Sequence, residues 1–404
     1  MALKQIANLQ KRHSQEKRFK ALGVLAIAFA LAFLVILFTM IVSKSSGAFL
    51  RSQIAFEIDL TKSDSVDNVN ARRVLKKALK ARFKTESYSQ VNDLYQILSK
   101  LGKRELDEYL ENDSELVGKK TFLWFSASSP VDMYIKHGNN SNLSEKQIEW
   151  VDELVMDEKT RTVLNWEFFE FADSREPEIA GIGAGLKGSV LVMMVFLLFA
   201  FPIGVMCAFY LEEFAKKNKM TDIIEISINN LAAIPSIIYG LLGLTLYLQI
   251  MHLPRSSSIV GGMTLFMLVL PVIIIATRNT IRSIPNSIRD GAAALGASKM
   301  QIVLHHLLPL SIPGIMTGTI LSISRALGET APLLMVGMVA FIADIPQSFS
   351  DPTTVLPVQI YLWSDSPEVG FIEKTSAAIL VLLGFLVMFN LIAIVLRKKF
   401  ERKW

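Results

Sequence analysis

The chain is predicted to be an all-α membrane protein with six transmembrane helices and a soluble α+β external domain inserted between helices 1 and 2. Three observations predict it. Hydrophobic residues make up 51% of the 404 residues and the mean hydropathy is +0.39, too apolar for an ordinary soluble protein. Six runs, 21–42, 188–210, 231–250, 259–276, 312–334 and 376–396, approach the roughly 20 apolar residues that cross a hydrocarbon core. One long polar stretch, 43–179, separates the first run from the other five.

Residues 1–20, a predicted cytoplasmic segment, hold six Lys or Arg: Lys4, Lys11, Arg12, Lys17, Arg18 and Lys20. The apolar run behind them is too long for a cleaved signal and no small-residue cleavage site follows it, so 21–42 is read as a retained anchor with its N-terminus inside. Alternating the remaining connections puts 18 basic residues inside, among them Lys216, Lys217, Lys219, Arg278, Arg282, Arg289 and Lys299, against Arg255 and Lys374 on the short outer loops. Basic residues collect on the cytoplasmic side of short loops, so both termini are expected in the cytoplasm, with 397–404 as a tail.

The inserted segment, 43–180, balances 20 Lys or Arg over 43–179 against 24 Asp or Glu, and a domain of that length translocates regardless of charge. VNARRVLKKALKARF, SQVNDLYQILSKLG and SEKQIEWVDELV space their apolar residues by three and four, the helical period. TFLWFSA is the one strand candidate, followed by a turn at Ser128 to Pro130. The segment is long enough to bury its own core.

Residues 181–396 carry the remaining five spans. The fifth, 312–334, is broken near Gly328 and Pro332, which is tolerable at membrane depth only where protein or a cavity satisfies the freed backbone groups.

Several chemistries are excluded. Cys207 is the only cysteine, so no intrachain disulfide and no cysteine-based zinc site can form. His305 and His306 are adjacent instead of one helical turn apart, which suits packing or surface better than a metal. Gly183, Gly185 and Gly188 spell GxGxxG, but no strand precedes them and an apolar helix follows, so the nucleotide-binding context is missing. No GxxxxGK[ST] occurs. The chain is therefore not expected to be an enzyme, and it needs no cofactor of its own. A net charge of +5 follows the membrane pattern and does not point to nucleic acid.

A loop between the fourth and fifth spans is specific. Its helix, at about 286–300, is built of Ala, Gly and Leu around Asp290 to Ala297, and such small side chains permit close approach to another protein. Gly296 is expected to end it and Pro309 to separate it from the next span. The segment resembles the coupling motif of binding-protein-dependent ABC importer permeases: EAA, three residues, Gly, nine residues, I-x-L-P. Asp290, Gly291 and Ala292 stand at EAA, Gly296 at the glycine, His306 at the isoleucine, and Leu308 and Pro309 at the close. Asp for Glu is mild, His for Ile is unusual, and the spacing is kept. The resemblance implies that Asp290, Gly291, Ala292, Gly296, Leu308 and Pro309 couple the chain to a separate ATPase, which holds the ATP and Mg.

The fifth span carries Arg325 and Glu329, ionisable groups that cost a few kcal/mol each at mid-membrane and so mark a candidate substrate pathway. Gly314, Gly318, Arg325 and Glu329 are spaced 4, 7 and 4 and are expected on one helical strip, where the glycines admit a neighbouring helix. Either the pair neutralises itself and fixes the helix, or the guanidinium fork meets a tetrahedral oxyanion in transit while Glu329 tunes that contact.

SRALGETAPLL, around this pair, resembles the signature of the PstA family of phosphate-importer permeases. FPIGVMCAFYLEEFA, NNLAAIPSIIYGLLGL and LPVQIYLW are similar to that family as well, and the resemblance runs from Gly181 to the C-terminus. The large external domain departs from the short form of the family and looks like its long variant. The resemblance implies the ABC importer permease fold, a bacterial inner-membrane location, and an ATP-driven importer of inorganic phosphate. Its other parts would be a second, PstC-like permease, a PstB-like ATPase dimer and a periplasmic, PstS-like phosphate-binding protein. ATP dependence is physically sensible. Each negative charge moved inward costs about 2.3 kcal/mol per 100 mV, and each tenfold of accumulation adds about 1.4 kcal/mol. Two alternatives stand beside it: a sulfate, molybdate or other oxyanion importer, since the coupling motif does not select the solute, and a membrane sensor reading a ligand through the external domain. The inner loops are too short for an output domain, which disfavours the sensor.

Overall fold

A computed structural model describes residues 2–61, 70–85, 87–113, 116–138, 142–338 and 341–400. Its first helix, α1 (Ala2–Ser45), runs through a single 3-10 turn, Ser46–Phe49, directly into strand β1 (Leu50–Asp59). No linker intervenes. The inserted region continues through α2 (Ala71–Phe83), α3 (Tyr88–Tyr95), α4 (Gly102–Asn112), β2 (Lys120–Ser126), α5 (Ser129–His137), α6 (Glu145–Met156), β3 (Thr160–Leu164) and the short α7 (Glu167–Glu170).

The helices lie where the three-and-four spacing puts them, and α6 opens with a capping box between Ser144 and Gln147. One strand was expected and three are present, in the order β2-β1-β3 with β1 antiparallel to both. The missed centre had a signal: Ile54, Phe56, Ile58 and Leu60 alternate along β1, and all four are buried. They pack with Leu75, Leu79, Leu106 and Phe125 into one core. Ser128 to Pro130, expected as a turn, instead opens α5, whose first turn holds Pro130, where its missing N–H costs nothing.

Lys136 ties α5 to the start of the inserted region, and its neighbour His137 reaches Glu373, a residue of the last helix, Gly370–Phe400. Lys136 Nζ donates to the carbonyls of Gly47 (2.8 Å) and Leu50 (2.6 Å) and pairs with Asp132 (2.5 Å). His137 meets Glu373 at 2.5 Å.

The remaining chain forms α8 (Gly183–Phe209), α9 (Lys219–Ala232), α10 (Ser236–Gly243), α11 (Ser258–Arg282), α12 (Asn286–Ala294), α13 (Lys299–Ile302), α14 (Leu308–Gly328), α15 (Ala331–Met335), α16 (Leu356–Ser364) and α17 (Gly370–Phe400). The bundle core gathers around Phe196, Leu265, Val269, Ile323 and Leu333, contributed by α8, α11, α14 and α15.

Among the described residues five helices are long and apolar enough to cross a membrane, and the number reaches six only if α9 and the run Ser236–Ile250, bent by 103°, count as one span. The expected third span, 231–250, therefore begins inside one helix and ends in another. Pro235 is the physical reason: it offers no N–H and drives the residue before it out of the helical region. The last span starts earlier than expected, at Gly370, so Lys374 lies within α17, where it is buried and donates to the Ala180 carbonyl at 3.0 Å instead of sitting in a loop.

Pro309 does not separate the coupling segment from the fifth span. Lys299–Gly328 is one continuous helical run, in which the π turn Val303–Leu307 interrupts the regular i→i−4 ladder just before Pro309, at the point where the proline withholds its N–H.

Candidate functional site

α12 is short and capped on both sides by residues outside it. Pro285 enters with an extended ψ of 140°. The helix ends at Ala294, earlier than the expected 300, because Gly296 takes φ +85°. The Gly296 N–H then donates to the Ala293 carbonyl (2.9 Å) and the Ala297 N–H to Ala292 (3.1 Å), the Schellman arrangement that a left-handed glycine allows. Ser298 and Gln301 cap the next turn reciprocally. Asp290, Gly291 and Gly296 are exposed, with open space over Gly291 and Gly296, and Leu295 is 92% exposed. Ala292 points the other way, into a core with Ile281, Ile302, Val303 and Leu307. Leu308 and Pro309 are half-buried on the following helix. The motif thus presents a small-residue surface with one projecting leucine.

One salt bridge fixes this helix to the bundle and a neighbouring set joins α11 to the end of α8 and to α9, and the sequence reading missed them. The Arg289 guanidinium donates through Nε (3.0 Å) and Nη2 (2.8 Å) to Glu213 and to the carbonyls of Ile281 (3.0 Å) and Ile284 (2.9 Å). Arg278 Nε meets Glu212 at 2.6 Å and its Nη2 meets Glu225. Arg282 reaches Glu212 at 2.9 Å and Glu225 at 3.6 Å. Arg278 is only 5% exposed. The two glutamates are neighbours on the π turn Tyr210–Phe214 that ends α8, so one engages α11 and the other α12. The signal was two carboxylates, LEEF, immediately after an apolar span.

In α14 the glycine strip does what its spacing implies. A Cβ on Gly318 would lie 2.5 Å from the Ala276 Cβ, and one on Gly314 would strike the Thr280 side chain, so α14 and α11 approach almost backbone to backbone. Arg325 sits further along, in the last turn. Glu329 is not on the helical strip: α14 ends at Gly328 and Glu329 is extended, with ψ 115°. The Arg325 Nε to Glu329 Oε1 distance is 3.6 Å, with side chains 36% and 23% exposed. That is an ion pair too long to be a hydrogen bond. Among the described residues no hydrogen-bond acceptor engages Arg325, so its fork of donors is free. The break at Gly328–Thr330 is followed by α15, which packs on α10 where Gly240 leaves room: a Cβ there would be 2.7 Å from the Pro332 Cα.

The structure thus combines a bundle of long apolar helices, one of them broken beside a charged pair, with an exposed small-residue surface on α12. The model of the family described as binding-protein-dependent transport system inner membrane component matches residues 200–404, and the chain belongs to that family. Residues 6–145 match a domain of unknown function, DUF3333. The chain is 30% identical to the probable ABC transporter permease protein YqgI of Bacillus subtilis, over 56% of this chain and 81% of that one. It is 32% identical to the phosphate transport system permease protein PstA of Haemophilus influenzae, over 47% of this chain and 66% of the relative. To PstA 1 of Mycobacterium tuberculosis it is also 32% identical, over 54% and 70% respectively.

Proposed function

We propose that this chain is a membrane permease subunit of an ATP-driven importer of inorganic phosphate. The observation that carries it is the Arg325 guanidinium, which stands at a helix break inside the bundle with its donors unused. A guanidinium fork matches the oxygens of a tetrahedral oxyanion, and the relatives named as phosphate transport permeases support phosphate as that anion. Glu329 at 3.6 Å keeps the well shallow, so that the anion leaves as well as enters.

The pathway forms between this chain and a second, PstC-like permease. A PstB-like ATPase dimer, which holds ATP and Mg, grips the surface around Asp290, Gly291, Leu295 and Gly296. A PstS-like binding protein delivers phosphate from outside. The chain lies in the bacterial inner membrane with both termini in the cytoplasm and the inserted domain outside. When the ATPases close, α12 moves with them, and the Arg289–Glu213 contact carries the displacement to α8. Through Arg278, Arg282, Glu212 and Glu225 the motion reaches α9 and α11, and α14 follows α11 because the glycine seam leaves no slack between them. The chain itself hydrolyses nothing in this scheme.

The test is ATP hydrolysis by the reconstituted complex with phosphate-loaded and, separately, sulfate-loaded binding protein. Stimulation by the phosphate-loaded form alone is expected. Equal or greater stimulation by the sulfate-loaded form overturns the assignment of the solute.

A further inference from the structure

The loop between α10 and α11 holds an arginine that nothing above uses. Arg255 is exposed, and among the described residues no carboxylate or other acceptor engages it. The backbone that presents it is held by the Leu253 N–H, which donates to the Tyr247 carbonyl at 2.9 Å, on one side and by three serines on the other. His252 and Ser256 have φ of +52° and +59°, a left-handed conformation that costs a non-glycine residue of order 1–3 kcal/mol and persists only where surrounding contacts over-determine it. Those contacts are present. Ser256, Ser257 and Ser258 are buried. Ser256 Oγ donates to the Gly337 carbonyl, the Thr353 N–H donates to the Ser256 carbonyl at 2.7 Å, and Ser257 Oγ donates to Pro254 at 2.7 Å.

The arginine stem lies across Gly337, which has φ +92°. A Cβ at Gly337 would be 2.5 Å from Arg255 Nε and 3.1 Å from its Cγ, so the missing side chain makes the saddle for this guanidinium. Gly337 closes the segment that Arg325 and Glu329 open, so the two cations bracket the broken part of the fifth span. Asp351, one of two acids on the facing loop, is already occupied by the N–H groups of Gln347 and Ser348, at 2.7 Å each, and by Ser348 Oγ at 2.6 Å.

We infer that Arg255 is a second anion-contacting residue, receiving the oxyanion at the outer mouth before it reaches Arg325. The inference rests on the permease reading above. A rigidly held, unpaired guanidinium beside Gly337, at the far end of the break that follows Glu329, gives a dianion leaving the binding protein a place to transfer to without passing through bare apolar surface. The strained loop holds the charge at the mouth instead of letting it fold back onto a carboxylate.

The experiment uses the whole transporter, reconstituted with its binding protein, in a Cys207→Ser background. Arg255→Cys is compared with the parent using whichever loaded binding protein, phosphate or sulfate, stimulates the parent, so that a wrong solute and a wrong residue give different results. Uptake at saturating loaded binding protein is expected to fall roughly tenfold, the effect of one lost charge contact. It should recover when the cysteine is alkylated by a cationic thiol reagent and stay low with an anionic one, while the concentration of binding protein giving half-maximal rate does not change. Unchanged uptake, equal rescue by both reagents, or a loss that appears as weaker docking of the binding protein overturns the inference; in the last case Arg255 is a contact for the partner protein.

Discussion

Arg289 and Glu213, 76 residues apart, hold the exposed α12 against the end of α8, with Nε and Nη2 at 3.0 and 2.8 Å from the same carboxylate oxygen. Both side chains are largely shielded, at 21% and 14% exposure, so the contact is screened less by salt than a surface pair. It links α12 to the end of α8, as the Arg289 contact with the Ile281 carbonyl links it to α11.

Cutting that link should uncouple the machine before it unfolds it. Arg289→Ala and Glu213→Ala are each expected to lower phosphate uptake several-fold more than ATP hydrolysis. In a double-mutant cycle on uptake the pair should show about 0.5–3 kcal/mol of coupling, the range for residues in contact. Additive effects on uptake would mean that the displacement travels by another route.

The neighbouring network is a matter of stability. Arg278 is buried against Glu212 and Glu225, and removing one partner of a buried pair leaves a charge uncompensated, at a cost of about 3–5 kcal/mol. Arg278→Met should therefore lower the thermal midpoint of the detergent-solubilised protein sharply, and Arg282→Met, whose side chain is 53% exposed, should lower it far less.

At the pathway, Arg325→Ala should abolish uptake while the complex still assembles, and Arg325→Ala/Glu329→Ala should not restore it. The 3.6 Å separation is the reason: the pair is too loose to be the arginine's main role. Recovery of transport in the double variant would make the pair structural.

Gly318→Leu is expected to push α14 off α11, since even a Cβ there would stand 2.5 Å from Ala276. The cost should be at least the roughly 1–3 kcal/mol of overpacking, read as a fall in thermal midpoint or failure to assemble. Gly291→Ala, inside α12 with open space around it, should hold or slightly raise the midpoint, by up to about 1 kcal/mol, so that any loss of activity reports on ATPase docking.

In the inserted domain, burial holds the Glu105 carboxyl above the usual carboxylate range, outweighing the hydrogen bonds it accepts from the Ser126 N–H and Oγ. A folded pKa raised above the unfolded one means that the folded state binds the proton more tightly, so the stability due to Glu105 is full below the unfolded pKa and declines as pH rises through the folded value. The difference in unfolding midpoint between the native chain and Glu105→Gln should therefore shift against the native chain as pH is raised from about 4 to 7. A difference that shifts the opposite way would mean that the hydrogen bonds dominate.

Much of this was legible in one dimension because the physics is local. Gly296 terminates α12 through its own backbone freedom and bonds within six residues, so a motif could announce it. The Gly314 and Gly318 seam was legible for the same reason, since helical spacing alone puts them on one face. One strand of the three was legible: β2 reads as a strand, whereas β1, with its alternating Ile54, Phe56 and Ile58, stands beside stronger helical periods and β3 is only five residues long.

The sequence by itself determined that the chain crosses a membrane repeatedly, that a large polar region interrupts it after the first helix, and that an exposed small-residue helix precedes a charged span. Span length, hydropathy and capping act within a few turns of chain, so no fold is needed to read them. Only the tertiary structure decided that Glu212 and Glu213 divide between Arg278 and Arg289, 66 and 76 residues away, that α9 and the run Ser236–Ile250 meet at a 103° bend, and that Arg255 lies across Gly337. A carboxylate at a helix end has many candidate cations in the chain, and the partner it takes depends on which helices pack side by side, a choice made by the fit of whole apolar faces.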